Sequence, residues 1–160
     1  MQEVYVMSFP DLLQNRIRLP IVAAPLFLAS GPELVLACCR SGIVGTFPAK
    51  NQRTLAGFED WLIQINKGLA QSEADTSMQP APFGVNLIVH RTNKRLEQEL
   101  DLCVKYRVPL IITSLGAVPK IVDQVHSYGG IVFHDVINTR HAQKAVAAGA
   151  DGLIAVVSGA

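Results

Sequence analysis

Charge is scarce in this chain of 160 residues: only 17% are Asp, Glu, Lys or Arg, and the formal net charge is +1. No basic cluster is present, which argues against a nucleic acid as the main partner. Long hydrophobic runs are missing as well. No stretch reaches the roughly 18 uninterrupted apolar residues of a spanning helix, so a membrane protein is not the reading. The N-terminal MQEVYVMSFPDLL carries acids and no basic n-region, unlike a signal peptide. Cysteine is limited to Cys38, Cys39 and Cys103. Adjacent cysteines do not easily pair, an odd count leaves one over, and no CxxC spacing occurs. All three are therefore expected as reduced core residues on helices of a cytoplasmic protein. No His/Glu/Cys spacing resembles a metal site. A nucleophile elbow, a Walker loop and the GxGxxG turn of dinucleotide folds are all absent.

What the chain does contain is apolar bulk. Nearly half its residues are hydrophobic and the mean hydropathy is +0.29. Continuous apolar runs stand at 20–25 (PIVAAP), 42–48 (GIVGTFP), 81–90 (APFGVNLIVH), 108–114 (VPLIITS), 130–137 (GIVFHDVI) and 151–158 (DGLIAVVS). They do not alternate with polar residues, which marks strands of a parallel sheet buried on both faces. Helical patterns fill the gaps, at 31–42, 54–71, 93–107, 118–130 and 139–151, several ending in a glycine turn. Residues 72–81 (SEADTSMQPA) read as a polar surface loop. Strand–helix–strand repeats with short turns imply right-handed crossovers. The expected fold class is an α/β parallel (β/α)8 TIM-type barrel in one domain, 1–160. A full barrel takes about 200 residues or more, so this chain is expected to stop after about strand six.

In such barrels the active site lies at the C-terminal ends of the strands. That singles out Ala24, Pro25 and Leu26; Thr46 and Phe47; Asn86; Thr113 and Ser114; His134 and Asp135; and Val156 to Gly159. Asn86 sits in an otherwise apolar run, where an unpartnered amide would cost about 1–3 kcal/mol. It can donate and accept, which suits a planar heteroaromatic ligand; a structural amide tying neighbouring strands is the other reading. His134 and Asp135 are adjacent on one strand, so their side chains point to opposite faces and only one can line the interior. His90, His126 and His141 are expected to be solvated. The terminal small residues would let backbone N–H groups approach a phosphate or ring, unless they form an ordinary βα turn.

LPIVAAPLFLAS, GIVGTFPA, APFGVNLIVHRTN, VPLIITSLG and GGIVFHDVINTRHAQKAVAAGADGLIAV, in this order, resemble the nitronate monooxygenase family, formerly called 2-nitropropane dioxygenases. Flavin-dependent enoyl-acyl carrier protein reductases share some of these segments. The resemblance implies a barrel that holds FMN non-covalently and oxidises an alkyl nitronate with O2. It places Ala24, Pro25 and Leu26 against the isoalloxazine and Asn86 in contact with the flavin. Ser158 and Gly159, which open a glycine-rich loop, join that set, and His134 completes the expected cofactor-binding residues unless it is a satisfied structural histidine. Asp135 stands where some members have a flavin-contacting lysine, an exchange of cation for anion. The family's catalytic histidine follows that loop, beyond Ala160, so no catalytic residue is assigned within the chain. The 160 residues alone are expected not to turn over substrate. An enoyl reductase using NAD(P)H is the alternative, and a non-catalytic barrel segment that assembles with another chain is a third. A homodimer is compatible with each.

Overall fold

The computed structural model describes residues 10–76, 79–116 and 119–156, with the side chains of residues 75 and 76 excepted. Six strands alternate with five helices: β1 Val22–Ala23, α1 Pro32–Arg40, β2 Val44–Pro48, α2 Leu55–Thr76, β3 Phe83–Ile88, α3 Leu96–Lys105, β4 Leu110–Ser114, α4 Pro119–His126, β5 Ile131–Val136, α5 Thr139–Ala147 and β6 Gly152–Ala155. A single 3-10 turn, Ala49–Asn51, follows β2. The strands form one sheet in the order β1-β2-β3-β4-β5-β6, and every neighbouring pair is parallel. In-order parallel strands joined by helices are the arrangement of six strands of a (β/α)8 barrel, as the apolar runs predict.

Two apolar clusters define the two faces of the sheet. On the helix side, Val85, Leu87, Ile111 and Val132 pack with Val35, Phe58, Leu62, Ile65, Leu100, Cys103 and Val125 from the helices. Side chains such as Phe47, Phe58, Leu62 and Ile65 are fully buried there, each worth about 1.5–3 kcal/mol. On the inner face, Val44, Leu110, Ile112 and Ile131 meet Leu12, Leu13 and Ile17 of the segment before β1. Because Val44, Leu110 and Ile131 begin their strands, this segment plugs the N-terminal end of the inner face.

Several boundaries differ from expectation. Helix α2 runs on to Thr76, through the first half of the stretch expected to be a loop. The Ser72 hydroxyl bonds back to the Gly68 carbonyl at 2.7 Å and accepts from Arg40 Nε at 2.7 Å. No proline intervenes before Pro80, so nothing in Gln71–Thr76 breaks the helix. Helix α3 starts only at Leu96, because Asn93 spends its side chain on the preceding turn, accepting from Arg95 N at 3.1 Å. Strand β1 shrinks to two residues: Ile21 and Val22 are exposed, and only β2 pairs with it. Cys39 and Cys103 are buried as expected, whereas Cys38 is half-buried on the flank of α1. Among the described residues no group of His, Cys, Asp and Glu could hold a metal. No helix among the described residues is long and apolar enough to cross a membrane.

Candidate functional site

Alternation along the strands decides which polar groups share a face. On β5, Ile131 and Phe133 belong to the inner cluster and Val132 to the helix-side cluster. Asp135 therefore continues the inner row, and His134 the outer one. The register sets Asn86 beside Ile112 and Ile88 beside Ser114. Asn86, Ser114 and Asp135 thus lie on the inner face at the C-terminal ends of three consecutive strands.

They are joined in a chain of fixed polarity. Asn86 Nδ2 donates to the Ile112 carbonyl at 3.2 Å and to Ser114 Oγ at 2.7 Å. Ser114 Oγ donates onward to Asp135 Oδ2 at 2.5 Å. Both amide hydrogens of Asn86 are consumed, so its Oδ1 is left as an acceptor with no protein partner among the described residues. The amide was expected to offer a ligand both a donor and an acceptor; in the folded protein it offers only the acceptor. The reading of Asn86 as a strand tie also holds, since the same side chain bridges β3 and β4.

His134 is buried, and its Nδ1 lies 2.7 Å from Thr113 Oγ1, the residue beside it on the outer row of β4. Burial holds its pKa below the ordinary histidine value, against the opposing pull of the Asp135 carboxylate. Both residues reach a cavity of about 600 Å³ at the rim, shared with Ser114, His141, Lys144 and Val156. This volume is in the range of small-molecule sites. His141 and Lys144 come from α5, which Asn138 caps by accepting from His141 N at 2.9 Å.

Ala24, Pro25 and Leu26 follow β1 at the same end of the sheet. Two residues that the sequence did not single out hold them there. Ser30 Oγ accepts from Leu26 N at 2.9 Å and donates to the Ala24 carbonyl at 3.3 Å. Asn51, in the turn after β2, donates to the carbonyls of Leu26 (3.0 Å) and Ser30 (2.7 Å) and accepts from Leu28 N at 3.0 Å. The main-chain groups of Ala24 and Leu26 are thereby largely spent on the loop itself. The segment offers an apolar wall, with Leu26, Phe27 and Leu28 exposed. The only sequence signal for Asn51 was its place just after a strand.

A second polar cluster braces the loops behind β2 and β3. Glu99 is completely buried; its Oε2 accepts from Asn93 Nδ2 at 2.9 Å. Its Oε1 lies 3.0 Å from Arg95 Nη2 and 3.4 Å from Lys50 Nζ, without a well-aligned hydrogen bond. Arg95 also reaches the carbonyls of Gln52 and Arg53, tying the β2 loop to the start of α3.

Of the remaining histidines, His90 and His141 are exposed as expected. His126 is exposed as expected too, and its Nε2 lies 2.8 Å from Asp151 Oδ2. Asp151 also accepts from Val132 N, and so helps set β5. Ser158 and Gly159 lie outside the described residues.

No protein-family model matches the chain, and no curated protein does. Solved structures do. FabK from Thermotoga maritima superposes with a TM-score of 0.74 over 91% of this chain and 42% of its own, at 22% identity. Nitroalkane oxidase from Streptomyces ansochromogenes gives 0.73 over 90% of this chain and 48% of its own, at 20% identity. The enoyl reductase domain of MlnA from Bacillus amyloliquefaciens gives 0.66 over 82% and 31%, at 18% identity. At these identities the likeness is one of fold. The chain spans less than half the length of each.

Proposed function

We propose that this chain is the N-terminal part of an FMN-dependent oxidoreductase that oxidises alkyl nitronates with O2. The activity belongs to a whole barrel, in a cytoplasmic setting, without nucleic acid or membrane. The observation that carries the reading is the Asn86–Ser114–Asp135 chain on the inner face at the mouth of a barrel sheet, in a fold shared with a nitroalkane oxidase. The residues present fit a flavin in two respects. Asn86 Oδ1 is an unspent acceptor, which suits an imide N–H on the ring edge. The loop from Ala24 to Leu26 is an apolar surface that can lie against a flat ring. When bound, FMN would supply the electron-transfer chemistry.

The protein's own groups then orient the ring and limit water. Asn86 fixes one edge, and exposed Leu26 offers an apolar surface to its face. Asp135 accepts from Ser114 and so holds the hydroxyl in the orientation that receives the Asn86 amide. His134, neutral and buried one row behind, lines the rim cavity from its outer wall.

The test is the visible spectrum of the purified whole-barrel protein and its titration with FMN. Bound-flavin bands, or quenching of added FMN that is lost in Asn86→Leu, are the expected result. No bands and no quenching would overturn the proposal. The MlnA domain favours one alternative, an enoyl reductase. Anaerobic bleaching of the flavin by NAD(P)H would select it, and bleaching by a nitronate alone would select the oxidase.

A further inference from the structure

At the opposite end of the sheet, three arginines line one cavity, and none of them is answered by a carboxylate among the described residues. A cavity of about 500 Å³ there is lined by Arg16 and Arg18 before β1, Arg40 at the end of α1, Ser72 on α2, and Gln79 and Pro80 before β3. None of the three guanidiniums is in an ion pair with a described acidic residue. Arg16 Nη2 donates to the Pro80 carbonyl at 3.2 Å, and its Nε–H is buried without an acceptor among the described residues. The side chain of Arg18 has no hydrogen-bond partner among the described residues. Its stem lies across Gly42, where a Cβ would fall 2.3 Å from Arg18 Cγ, and its main chain bonds Gly42 at 2.7 Å.

Ordinary structural duties do not account for this convergence. Arg40 has one: it closes α1 against its dipole and bonds Ser72 and the Gly68 carbonyl. Arg16 has one as well, the bond from Nη2 to the Pro80 carbonyl, but its buried Nε–H and the exposed Arg18 side chain have no partner among the described residues. The last carbonyls of α1 are already taken, Ala37 and Cys38 by Ser41 N, Cys39 by Gly42 N and Ala81 N. An unpaired buried N–H on a charged group costs more than a neutral one, so an absent acceptor is the simplest completion. Guanidinium forks match tetrahedral oxyanions bidentately, and three of them match a dianion.

We infer that Arg16, Arg18 and Arg40 form a binding site for a phosphate monoester or free phosphate, remote from the mouth and independent of the proposed flavin site. The experiment is calorimetric titration of the full chain with inorganic phosphate, AMP and malonate at fixed ionic strength. Saturable phosphate binding is expected, weakened about tenfold or more in Arg18→Gln and partly retained in Arg18→Lys, which keeps the charge without the fork. Lys120→Gln, on α4, serves as the charge control and should bind like the parent. Tighter binding of AMP than phosphate would mark an organic monoester as the ligand; equal binding would mark the free ion. The inference is overturned if the parent shows no saturable phosphate binding. It is equally overturned if folded Arg18→Gln binds unchanged, or if malonate binds as tightly as phosphate. Quenching of riboflavin, which carries no phosphate, should not change in the same variants, so failure here is distinguishable from failure of the flavin proposal.

Discussion

Replacing Glu99 by glutamine deletes one negative charge and almost no volume, so its effect isolates the electrostatics of the brace behind the mouth. The carboxylate is fully buried, within 3.0 Å of Arg95 and 3.4 Å of Lys50. Breaking a buried ion pair by removing one partner costs about 3–5 kcal/mol, because the other charge is stranded. Here the strand is partial. The Arg95 and Lys50 side chains are 24% and 31% exposed and can take up water. Arg95 keeps the Gln52 and Arg53 carbonyls, and Lys50 keeps Asn93 Oδ1. The glutamine oxygen can still accept from Asn93, but its NH2 then faces two cations. The lower end of the range applies, about 3 kcal/mol, which for a chain of this size is about 6–12 °C in Tm. Equilibrium urea unfolding followed by far-UV circular dichroism measures it. Glu97→Gln supplies the contrast: Glu97 is 88% exposed and 3.9 Å from Lys120, and its loss should leave stability unchanged. A loss below about 1 kcal/mol in Glu99→Gln would show that desolvation of the carboxylate cancels its attraction, and would refute the view of this cluster as a brace.

Asn86→Leu should cost about 1–3 kcal/mol, by leaving Ser114 Oγ without its donor and removing a bond to the Ile112 carbonyl; denaturant titration reads it. The depressed pKa of buried His134 means that the folded state resists its protonation while the unfolded state, near 6.5, accepts it. Its contribution to stability is present above the unfolded value and lost as pH falls through the folded one. His134→Gln should flatten that acid-side loss in unfolding measured across pH. Alkylation followed by mass mapping should label half-buried Cys38 first. Cys39 has its thiol pushed up to about 11 by burial, and Cys103 is raised further still by complete burial. Both should react only after denaturant is added.

The sequence made the architecture visible because burial on both faces leaves a plain mark: strands β2 to β5 each lie within a continuous apolar run. It was less informative wherever a tertiary contact decided the outcome. The length of α2 depends on Ser72 meeting Arg40, thirty-two positions away in the chain. The site was legible as a set of strand ends, and period-two alternation announced that His134 and Asp135 part company. Which of the two turns inward depends on the pairing of β5 with β4, a property of register that one strand cannot reveal alone. Asn51 was hidden for a related reason. Its role is to hold a loop about twenty-five residues earlier, and its own neighbourhood shows no more than that it follows a strand.

The order of the strands has a consequence for synthesis on the ribosome. In a sheet arranged β1 through β6 without exchange, each strand docks on the edge left by the one made just before it. No strand has to wait for a later one before it can pair, nor wedge between two that have already met. Contacts form as soon as each helix and its following strand emerge, so the nascent chain can gain order vectorially, at the pace of translation. The growing edge is then the one exposed ladder that moves, passed from strand to strand as the sheet widens, and its protection is a matter of timing as well as of sequence.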